Sequence, residues 1–323
     1  MSSPAFELLT MGRVGVDIYP QQIGVGLEDV TSFAKFLGGS PTNVAVAASR
    51  LGHRTAVITR TGRDPFGTYI HRSLQGFGVD DRFVSAVEGL PTPVTFCEIF
   101  PPDNFPLYFY REPKAPDLEI GVDELDFDAI RSAEVFWLTV TGLSAEPSRE
   151  AHLAALEARG RNGITILDLD YRPMFWDSPE QATEQIARAL PYVTVTAGNS
   201  EECLVAVGES DPQSAAKALL SAGAELAIVK QGPAGVLGRQ GEESVVVPPV
   251  PIDVVNGLGA GDAFGGALCH GLLSNWDLRR TLSFANAAGA YVAGQLACAD
   301  AMPTTAEVEA LMTRTPTNGG AGA

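Results

Sequence analysis

The chain has 323 residues, 45% of them hydrophobic and 19% charged, and this composition predicts a folded protein with a large buried core. A formal charge of −17 argues against nucleic acid or an anionic membrane as a partner, because binding either one requires a basic surface. No apolar run approaches the ~20 residues of a membrane-spanning helix, and the first residues lack a signal-peptide pattern, so we expect a cytoplasmic protein.

Short apolar segments alternate with helical patterns along most of the chain. Val135–Leu138 precedes the helical pattern of Ser148–Arg159, which is followed by the strand-like run Thr165–Leu169. This alternation is typical of a parallel sheet with crossover helices on its faces. The sequence therefore predicts an α/β fold, organised as a single domain over residues 1–323.

Two stretches interrupt the alternation, one from Ile18 to Gly38 and one from Thr92 to Tyr110. Both contain short runs without a helical period, such as Val94–Phe100. We interpret the stretches, about residues 18–38 and 92–110, as the two parts of a small β-sheet that forms a lid. The tail at residues 316–323 is rich in glycine and alanine, and we expect it to be disordered.

A pair of glycines precedes the first predicted helix, in the segment Leu-Gly-Gly-Ser-Pro-Thr-Asn at residues 37–43. Ser40 suits a helix cap and Pro41 suits the first helical position. An ordinary capped helix explains these two residues but not the paired glycines, which would let a small ligand lie against the backbone. Asn43 projects from the first turn, and Asp17 ends the first strand-like run upstream.

The segment Asn-Ser-Glu-Glu at residues 199–202 follows the strand-like run Val193–Ala197. An asparagine with a glutamate three positions later is typical of a capping box at a helix start. The same segment lies at the carboxyl end of a predicted strand, where open α/β sheets bind ligands. A structural and a functional interpretation both follow from these residues.

A glycine-rich turn follows a strand-like run at residues 254–264 and opens a helix. Gly259, Ala260 and Gly261 lack bulk, so their backbone N–H groups could approach an anion, which the helix dipole also favours. Asp262 in the same turn is placed to act as a base. A plain helix start with Asp262 as a cap is the alternative. A dinucleotide site fits poorly because Asp262 replaces the third glycine of that motif, and the P-loop lysine is absent.

Residues 259–262 resemble the Gly-Ala-Gly-Asp signature of the ribokinase-like (PfkB) carbohydrate kinases, and residues 37–43 resemble that family's early Gly-Gly segment. The resemblance implies a ribokinase-like three-layer α/β/α fold with a mainly parallel central sheet and a small β-sheet lid. It implies ATP-dependent phosphorylation of a primary hydroxyl on a sugar or sugar acid. Asp262 would be the base, and Gly259, Ala260 and Gly261 would form the anion hole. The implied sugar-binding residues are Asp17, Gly38, Gly39 and Asn43.

The resemblance extends to the nucleotide side. Residues 199–202 resemble the family's Asn-x-x-Glu motif, so Asn199 and Glu202 would organise Mg²⁺ through water. Residues 229–235 resemble the nucleotide loop and residues 286–290 the adenine-side helix, although a hairpin turn and a closely packed helix also explain these segments. ATP and Mg²⁺ are the implied cofactors. The implied ATP-binding residues are Asn199, Lys230, Gly232, Gly235 and Asn286.

One departure from the family pattern concerns a monovalent cation. The signature is usually preceded by Asp-Thr-x, whose aspartate helps to bind K⁺ in many relatives. This chain has Asn256-Gly257-Leu258 at those three places. The requirement for K⁺ therefore stays open.

The substrate is indicated by three segments, at residues 11–20, 108–111 and 167–176. They most resemble the 5-dehydro-2-deoxygluconokinases of inositol catabolism, whereas fructokinase-like and 2-keto-3-deoxygluconate kinase relatives tend to have asparagine where this chain has Asp170. Arg111 or Arg172 could hold the carboxylate of a sugar acid. Each could also form a surface or interdomain ion pair, and Arg172 could face the nucleotide phosphates. The further substrate-binding residues are therefore Arg111, Asp168, Asp170 and Arg172.

Two rival functions stay open. A nucleoside kinase of the same fold would need an apolar base pocket in place of an arginine clamp. A non-catalytic sugar-binding regulator would retain Asp17 and Asn43 but would not need the turn at residues 259–262. Because lid sheets in this family often pair between subunits, we expect a homodimer formed through the lid.

Overall fold

The computed structural model describes residues 5–313, so the tail at 316–323 lies outside the described residues. The strands are β1 (Leu8–Met11), β2 (Gly15–Pro20), β3 (Phe33–Gly38), β4 (Thr55–Gly62), β5 (Val79–Asp80), β6 (Val84–Val87), β7 (Val94–Cys97), β8 (Leu107–Tyr110), β9 (Val135–Thr139), β10 (Ile164–Asp168), β11 (Val195–Asn199), β12 (Leu226–Lys230), β13 (Val236–Gln240) and β14 (Glu243–Val247). The α-helices are α1 (Ser40–Arg50), α2 (Pro65–Gly76), α3 (Phe127–Ser132), α4 (Ser148–Arg159), α5 (Pro179–Ala189), α6 (Ser200–Val207), α7 (Pro212–Ser221), α8 (Ala260–Leu273), α9 (Leu278–Ala293) and α10 (Thr305–Thr313).

The larger sheet has the strand order β14-β13-β12-β11-β10-β9-β1-β4-β5, and β6 also pairs with β4. Its strands run parallel except where β13 pairs with β12 and with β14. The mainly parallel sheet that the sequence predicts is confirmed. No helix among residues 5–313 has the length and apolar character to cross a membrane.

Helices cover both faces of this sheet, and the central strand β9 shows how. All five of its residues are buried. Phe136 and Leu138 belong to the core beneath α4 to α7, whereas Val135 and Trp137 belong to the core beneath α1, α8 and α9. A strand buried on both faces has no polar alternation, which explains the continuous apolar run in the sequence.

A second, four-stranded sheet has the order β3-β2-β7-β8. Strand β2 runs antiparallel to β3 and parallel to β7, and β7 runs antiparallel to β8. The strands occupy residues 15–20, 33–38, 94–97 and 107–110, so this sheet begins three residues before the first predicted stretch. Its β2 enters directly from the segment that follows β1 in the larger sheet.

Asp64 ties the second sheet to the larger domain. Its carboxylate accepts a hydrogen bond of 2.8 Å from the backbone N–H of Gly67 and thereby caps α2. It also accepts bonds of 2.7 Å from the backbone N–H and 2.8 Å from the hydroxyl of Thr92, two residues before β7 begins. The chain therefore enters β7 at a defined position relative to α2.

Candidate active site

A cavity of about 170 Å³ lies where the second sheet meets the starts of α1 and α8. Residues that are far apart in the chain line it together. Those that the sequence predicted are Asp17 on β2, Gly39 and Asn43 at the start of α1, Arg172, and Gly259, Gly261 and Asp262 at the start of α8.

Asp262 lies in the first turn of α8. Its Oδ2 accepts a hydrogen bond of 2.8 Å from the side-chain amide of Asn43. Burial raises the pKa of Asp262, and the hydrogen bonds from Asn43 and Ser40 offset this only in part, so the pKa lies above its ordinary value. A carboxylate with a raised pKa is a stronger base, which suits the removal of a proton from a hydroxyl group.

The turn before Asp262 requires glycine at residue 259. Gly259 has a φ of 79°, and a β-carbon on it would lie 2.6 Å from the sulfur of Cys298. Helix α8 begins directly afterwards, and the backbone N–H groups of a first helical turn have no partner within the helix. Gly259 and Gly261 line the cavity and Ala260 does not, and this first turn brings the positive end of the helix dipole to the cavity wall.

Asp17 lies on the cavity side of β2. Its Oδ2 accepts a hydrogen bond of 3.0 Å from the hydroxyl of Tyr19, whose oxygen also lies 2.8 Å from the sulfur of Cys298. Burial raises the pKa of Asp17 to about 6, although Tyr19 and Arg13 act to lower it. Asp17 and Asn43 therefore present polar groups to the same cavity, as hydroxyl recognition requires.

The paired glycines are required by the packing around them. A β-carbon on Gly38 would overlap the carboxylate of Asp17, and one on Gly39 would overlap the backbone of Arg13 and Val14. Gly39 lines the cavity, but Gly38 does not. The pair makes room for Asp17 and for close backbone packing, in addition to any contact with a ligand.

Two arginines share one carboxylate beside the cavity. The Nη2 atom of Arg13 lies 2.9 Å from Oδ2 of Asp170, and the Nη2 atom of Arg172 lies 2.8 Å from its Oδ1. Burial raises the pKa of Asp170, but Arg172 and Arg13 outweigh burial and hold the pKa below its ordinary value. Asp170 is therefore ionised, and it holds both guanidinium groups at the cavity, which both arginines line.

Arg111 lies apart from this cavity. Its Nη2 is 2.7 Å from Oδ2 of the buried Asp117, and its guanidinium lies 5.0 Å from the ring centre of Phe175. The residues that line the cavity do not include it. Of the two arginines that the sequence offered as a clamp, the structure brings only Arg172 to the cavity.

Three neighbouring strands end at a polar cluster next to the turn at residues 259–261. Asp168 ends β10, and Asn199 and Lys230 are paired residues at the ends of β11 and β12. The Nζ atom of Lys230 lies 3.7 Å from Oδ1 of Asp168. Burial raises the pKa of Asp168 to about 7 against the opposing effect of Lys230, and nearby Glu202 raises it as well. Asp168 thus lies with the residues predicted for the nucleotide and the metal, and it does not line the cavity.

The capping box at the start of α6 is present. The backbone N–H of Asn199 donates to the carboxylate of Glu202 at 2.8 Å, and the backbone N–H of Glu202 donates to the Asn199 side chain at 2.9 Å. Oδ1 of Asp168 is buried and has no hydrogen-bond partner, so this cluster has acceptor capacity left over for a cation. Residues 5–313 contain no group of three or more His, Cys, Asp or Glu side chains that could hold a metal. A metal role for Asn199 and Glu202 stays a prediction.

Of the remaining predicted nucleotide residues, Gly232 and Gly235 follow β12, whereas Asn286 contacts the segment after β14. Gly232 begins a short turn, and the backbone N–H of Gln231 donates to the carbonyl of Gly235 at 2.8 Å. A β-carbon on Gly235 would overlap the backbone of Val247. On α9, the side-chain amide of Asn286 donates to the carbonyl of Pro248 at 2.7 Å.

Asn256 has a structural role in the turn before α8. Its amide nitrogen donates to the carbonyl of Leu296 at 2.8 Å, and its amide oxygen accepts from the backbone N–H of Leu258 at 3.0 Å. These bonds connect the turn to the segment that follows α9.

The cavity also contains residues to which the sequence assigned no role. The main ones are Arg13, Tyr19, Thr95, Phe109 and Cys298. Arg13 had a detectable signal, because it follows β1 and parallel strands place functional residues at their carboxyl ends. Cys298 had none, since its contact with Tyr19 joins residues 279 positions apart.

Comparison with known proteins identifies the family of the chain. The model of the pfkB family carbohydrate kinases matches residues 7–305. The 5-dehydro-2-deoxygluconokinase of Clostridium botulinum (strain Eklund 17B / Type B) is 32% identical over 311 residues, which cover 94% of this chain and 91% of that protein. The 5-dehydro-2-deoxygluconokinase of Geobacillus kaustophilus (strain HTA426) is 31% identical over 310 residues, which cover 94% and 92% of the two chains.

Solved structures give the same result for the fold. The fructokinase from Vibrio cholerae O395 with fructose, ADP and calcium ion has a TM-score of 0.84 at 24% identity, covering 95% of this chain and 99% of that one. The fructokinase from Xylella fastidiosa with bound ATP has a TM-score of 0.82 at 24% identity, with coverage of 95% and 98%. The predicted ribokinase-like fold is thus confirmed. Because the family model and the curated relatives match nearly the whole chain, the protein belongs to the PfkB family and is a carbohydrate kinase.

Proposed function

We propose that this kinase transfers the γ-phosphoryl group of ATP to the primary hydroxyl of 5-dehydro-2-deoxy-D-gluconate, a step of inositol catabolism. The observation that carries the proposal is a single cavity that holds Asp262 at a helix start, the polar groups of Asp17 and Asn43, and the guanidinium of Arg172. A base, hydroxyl acceptors and a cation are what phosphorylation of a sugar acid requires. The names of the two relatives at 31% and 32% identity support the choice of acid.

In the proposed reaction, Asp17 and Asn43 bind hydroxyl groups of the acid and direct its primary hydroxyl towards Asp262. Asp262 removes the proton of that hydroxyl, for which its raised pKa is suited. The backbone N–H groups at residues 259–261 stabilise negative charge on the phosphoryl oxygens. The ammonium of Lys230 would help to stabilise this negative charge. It lies next to Gly261, 3.8 Å from where a β-carbon on that residue would be.

Mg²⁺ would enter with ATP and neutralise charge on its phosphates. The residues that would hold it, largely through water, are Asn199 and Glu202, with Asp168 beside them because its Oδ1 is buried and has no hydrogen-bond partner. Lys230, Gly232, Gly235 and Asn286 would bind the nucleotide. The side chain of Asn256 is already hydrogen-bonded to the backbone of Leu296 and Leu258, so we assign it no role in binding K⁺.

The second sheet would act as a lid and as the surface of a homodimer. Asp17 and Tyr19 face the cavity, so the alternating residue Ile18 lies on the outer face, as does its paired neighbour Phe96. Phe96 contacts Phe33 and Tyr110 at ring-centre distances of 5.6 Å each, and Tyr110 is 62% exposed. An exposed aromatic face of this kind is typical of an interaction surface, and a second copy of the chain would cover it. We also propose a cytoplasmic location, as the sequence predicts.

The test is ATP consumption with Mg²⁺ against a panel of acceptors, which contains 5-dehydro-2-deoxygluconate, 2-keto-3-deoxygluconate, fructose, ribose and adenosine. Selective turnover of the first acceptor is expected. Turnover of 2-keto-3-deoxygluconate or fructose would retain the mechanism and replace the substrate, and turnover of adenosine would indicate a nucleoside kinase. No turnover of any acceptor would favour a sugar-binding regulator.

Asp262→Asn tests the base. The variant should lose about 100-fold to 10,000-fold in kcat, because general-base catalysis typically contributes that factor. Asp128→Asn is the matched control, since the Asp128 side chain is 94% exposed on α3 and should leave kcat unchanged. If folded Asp262→Asn retained most of its kcat, Asp262 would not be the base.

A further inference from the structure

Arg13 lies in the cavity wall with most of its hydrogen-bonding capacity unused. Its side chain is only 12% exposed, and Nη2 donates to Asp170. Its Nε is buried and has no hydrogen-bond partner, and the Nε of Arg172 is likewise buried without one. A guanidinium has five N–H donors, and leaving buried donors unpaired is costly. The arrangement therefore fits an acceptor that arrives with the ligand.

The charges around the cavity indicate what kind of acceptor this is. Arg13 and Arg172 share one ionised carboxylate, that of Asp170, so the cluster of these three side chains has a positive charge in excess. A carboxylate matches a guanidinium with two parallel hydrogen bonds. Asp17 and Asp262 in the same cavity would repel a ligand carboxylate, so it would lie at the arginines rather than near the base.

We propose that Arg13 and Arg172 together bind the carboxylate of a sugar-acid substrate and thereby turn the opposite, hydroxyl end of the substrate towards Asp262. This inference rests on the proposed function and adds a residue that determines specificity. Asp170 positions both guanidinium groups through its two ion pairs.

The test compares two acceptors that differ only in charge, 5-dehydro-2-deoxy-D-gluconate and its C1 carboxamide. The readout is the ratio of kcat/KM for the acid to kcat/KM for the amide, at saturating ATP and Mg²⁺. Arg13 also interacts electrostatically with Asp262, but this influence on the base acts on both acceptors and cancels in the ratio.

Arg13→Gln should lower the acid-to-amide ratio by about 30-fold, as expected for the loss of charge-assisted hydrogen bonds. Arg13→Lys should recover only part of it, because an ammonium cannot form the bidentate pair. Arg111→Gln is the comparison variant, and its ratio should stay within about threefold of wild type, since Arg111 is paired with Asp117 away from the cavity. Thermal unfolding of each variant, and its affinity for the acid by calorimetry without ATP, accompany the kinetics.

The outcomes separate the two levels of the proposal. If wild type phosphorylates the acid but Arg13→Gln lowers turnover of acid and amide equally, Arg13 is only structural and the inference is overturned while the proposed function stands. The same holds if Arg111→Gln, and not Arg13→Gln, lowers the ratio. If wild type neither binds nor phosphorylates the acid, the proposed function is wrong and the inference falls with it.

Discussion

Three carboxylates of the site, Asp17, Asp170 and Asp262, are buried, and the charges beside each one decide the direction in which its pKa moves. Burial raises the pKa of all three. At Asp170 the positive charges of Arg172 and Arg13 outweigh burial, so its pKa is lowered. Asp17 and Asp262 have weaker compensation, so their pKa values are raised. The two carboxylates proposed to bind a hydroxyl group and to accept a proton therefore have pKa values above the ordinary range, whereas the carboxylate that holds the arginines keeps its charge.

Tyr19→Phe tests whether the raised pKa of Asp17 controls activity. An ionised Asp17 accepts a stronger, charge-assisted hydrogen bond from a sugar hydroxyl than the neutral acid does, so kcat/KM should rise as pH increases through about 6. Removing the Tyr19 hydroxyl removes a bond that lowers the pKa of Asp17, so the midpoint should move upward by about 0.5 to 1 pH unit. The measurement is kcat/KM from pH 5 to 8. An unchanged midpoint would show that another group, such as Asp262, controls this limb of the profile.

At the scale of elements, the start of α8 combines several properties in one turn. A left-handed glycine allows the chain to enter the helix directly, Gly259 and Gly261 line the cavity, and Asp262 follows within the same turn. Cys298 fills the space where a side chain at residue 259 would lie. The position of the proposed anion hole therefore depends on a tertiary contact from the segment after α9.

Gly259→Ala should displace this turn. The new β-carbon would overlap the sulfur of Cys298, and the turn would force alanine into a positive φ that it rarely adopts. We expect kcat to fall by about 100-fold, the typical effect of losing one anion-hole donor, and stability to fall by about 1–3 kcal/mol. Steady-state kinetics and urea unfolding measure the two effects.

Gly241→Ala is the matched control. Gly241 also has a positive φ, of 56°, but no atom lies within 4 Å of the position of its β-carbon, in the turn between β13 and β14. It should lose about 1 kcal/mol of stability and no kcat. Equal losses of kcat in the two variants would contradict a specific role for the turn at residue 259.

At the scale of the whole molecule, the second sheet has two faces with different environments. One face carries Asp17 and Tyr19 into the cavity, and the other carries Ile18, Phe33, Phe96, Tyr108 and Tyr110 outward. Phe33 and Tyr108 are 40% and 43% exposed in the single chain. Because both faces belong to the same strands, association of two copies would also restrain the residues that bind substrate.

Phe33→Glu tests the dimer. A charge on this face should separate the copies, since burying an unpaired carboxylate at an interface is unfavourable. Sedimentation velocity at micromolar concentration should give a dimer for wild type and a monomer for the variant. Leu204→Glu, at a residue 52% exposed on α6, should leave the dimer intact. A wild-type monomer at these concentrations would exclude this interface.

Features that depend on neighbouring residues could be predicted from the sequence. The capping box at residues 199–202 and the turn at residues 259–262 are local, because caps and turns are formed by residues a few positions apart. The start of α1 was located correctly, but the prediction of Ser40 as its cap was wrong, because Gly39 occupies the cap position and Ser40 is the first helical residue. The apolar runs also predicted the parallel sheet, since strands buried on both faces have few polar residues.

The tertiary structure decided which side chains share the cavity. Asn43 reaches Asp262 across 219 residues, Arg13 reaches Asp170 across 157, and Tyr19 reaches Cys298 across 279. The sequence alone could not choose between Arg111 and Arg172, because that choice depends on where β8 and β10 end in space and on which carboxylate is nearest. The sequence by itself determined the turn that carries Asp262 and the family to which the chain belongs. Only the packing of distant strand and helix ends determined the charges that surround the substrate.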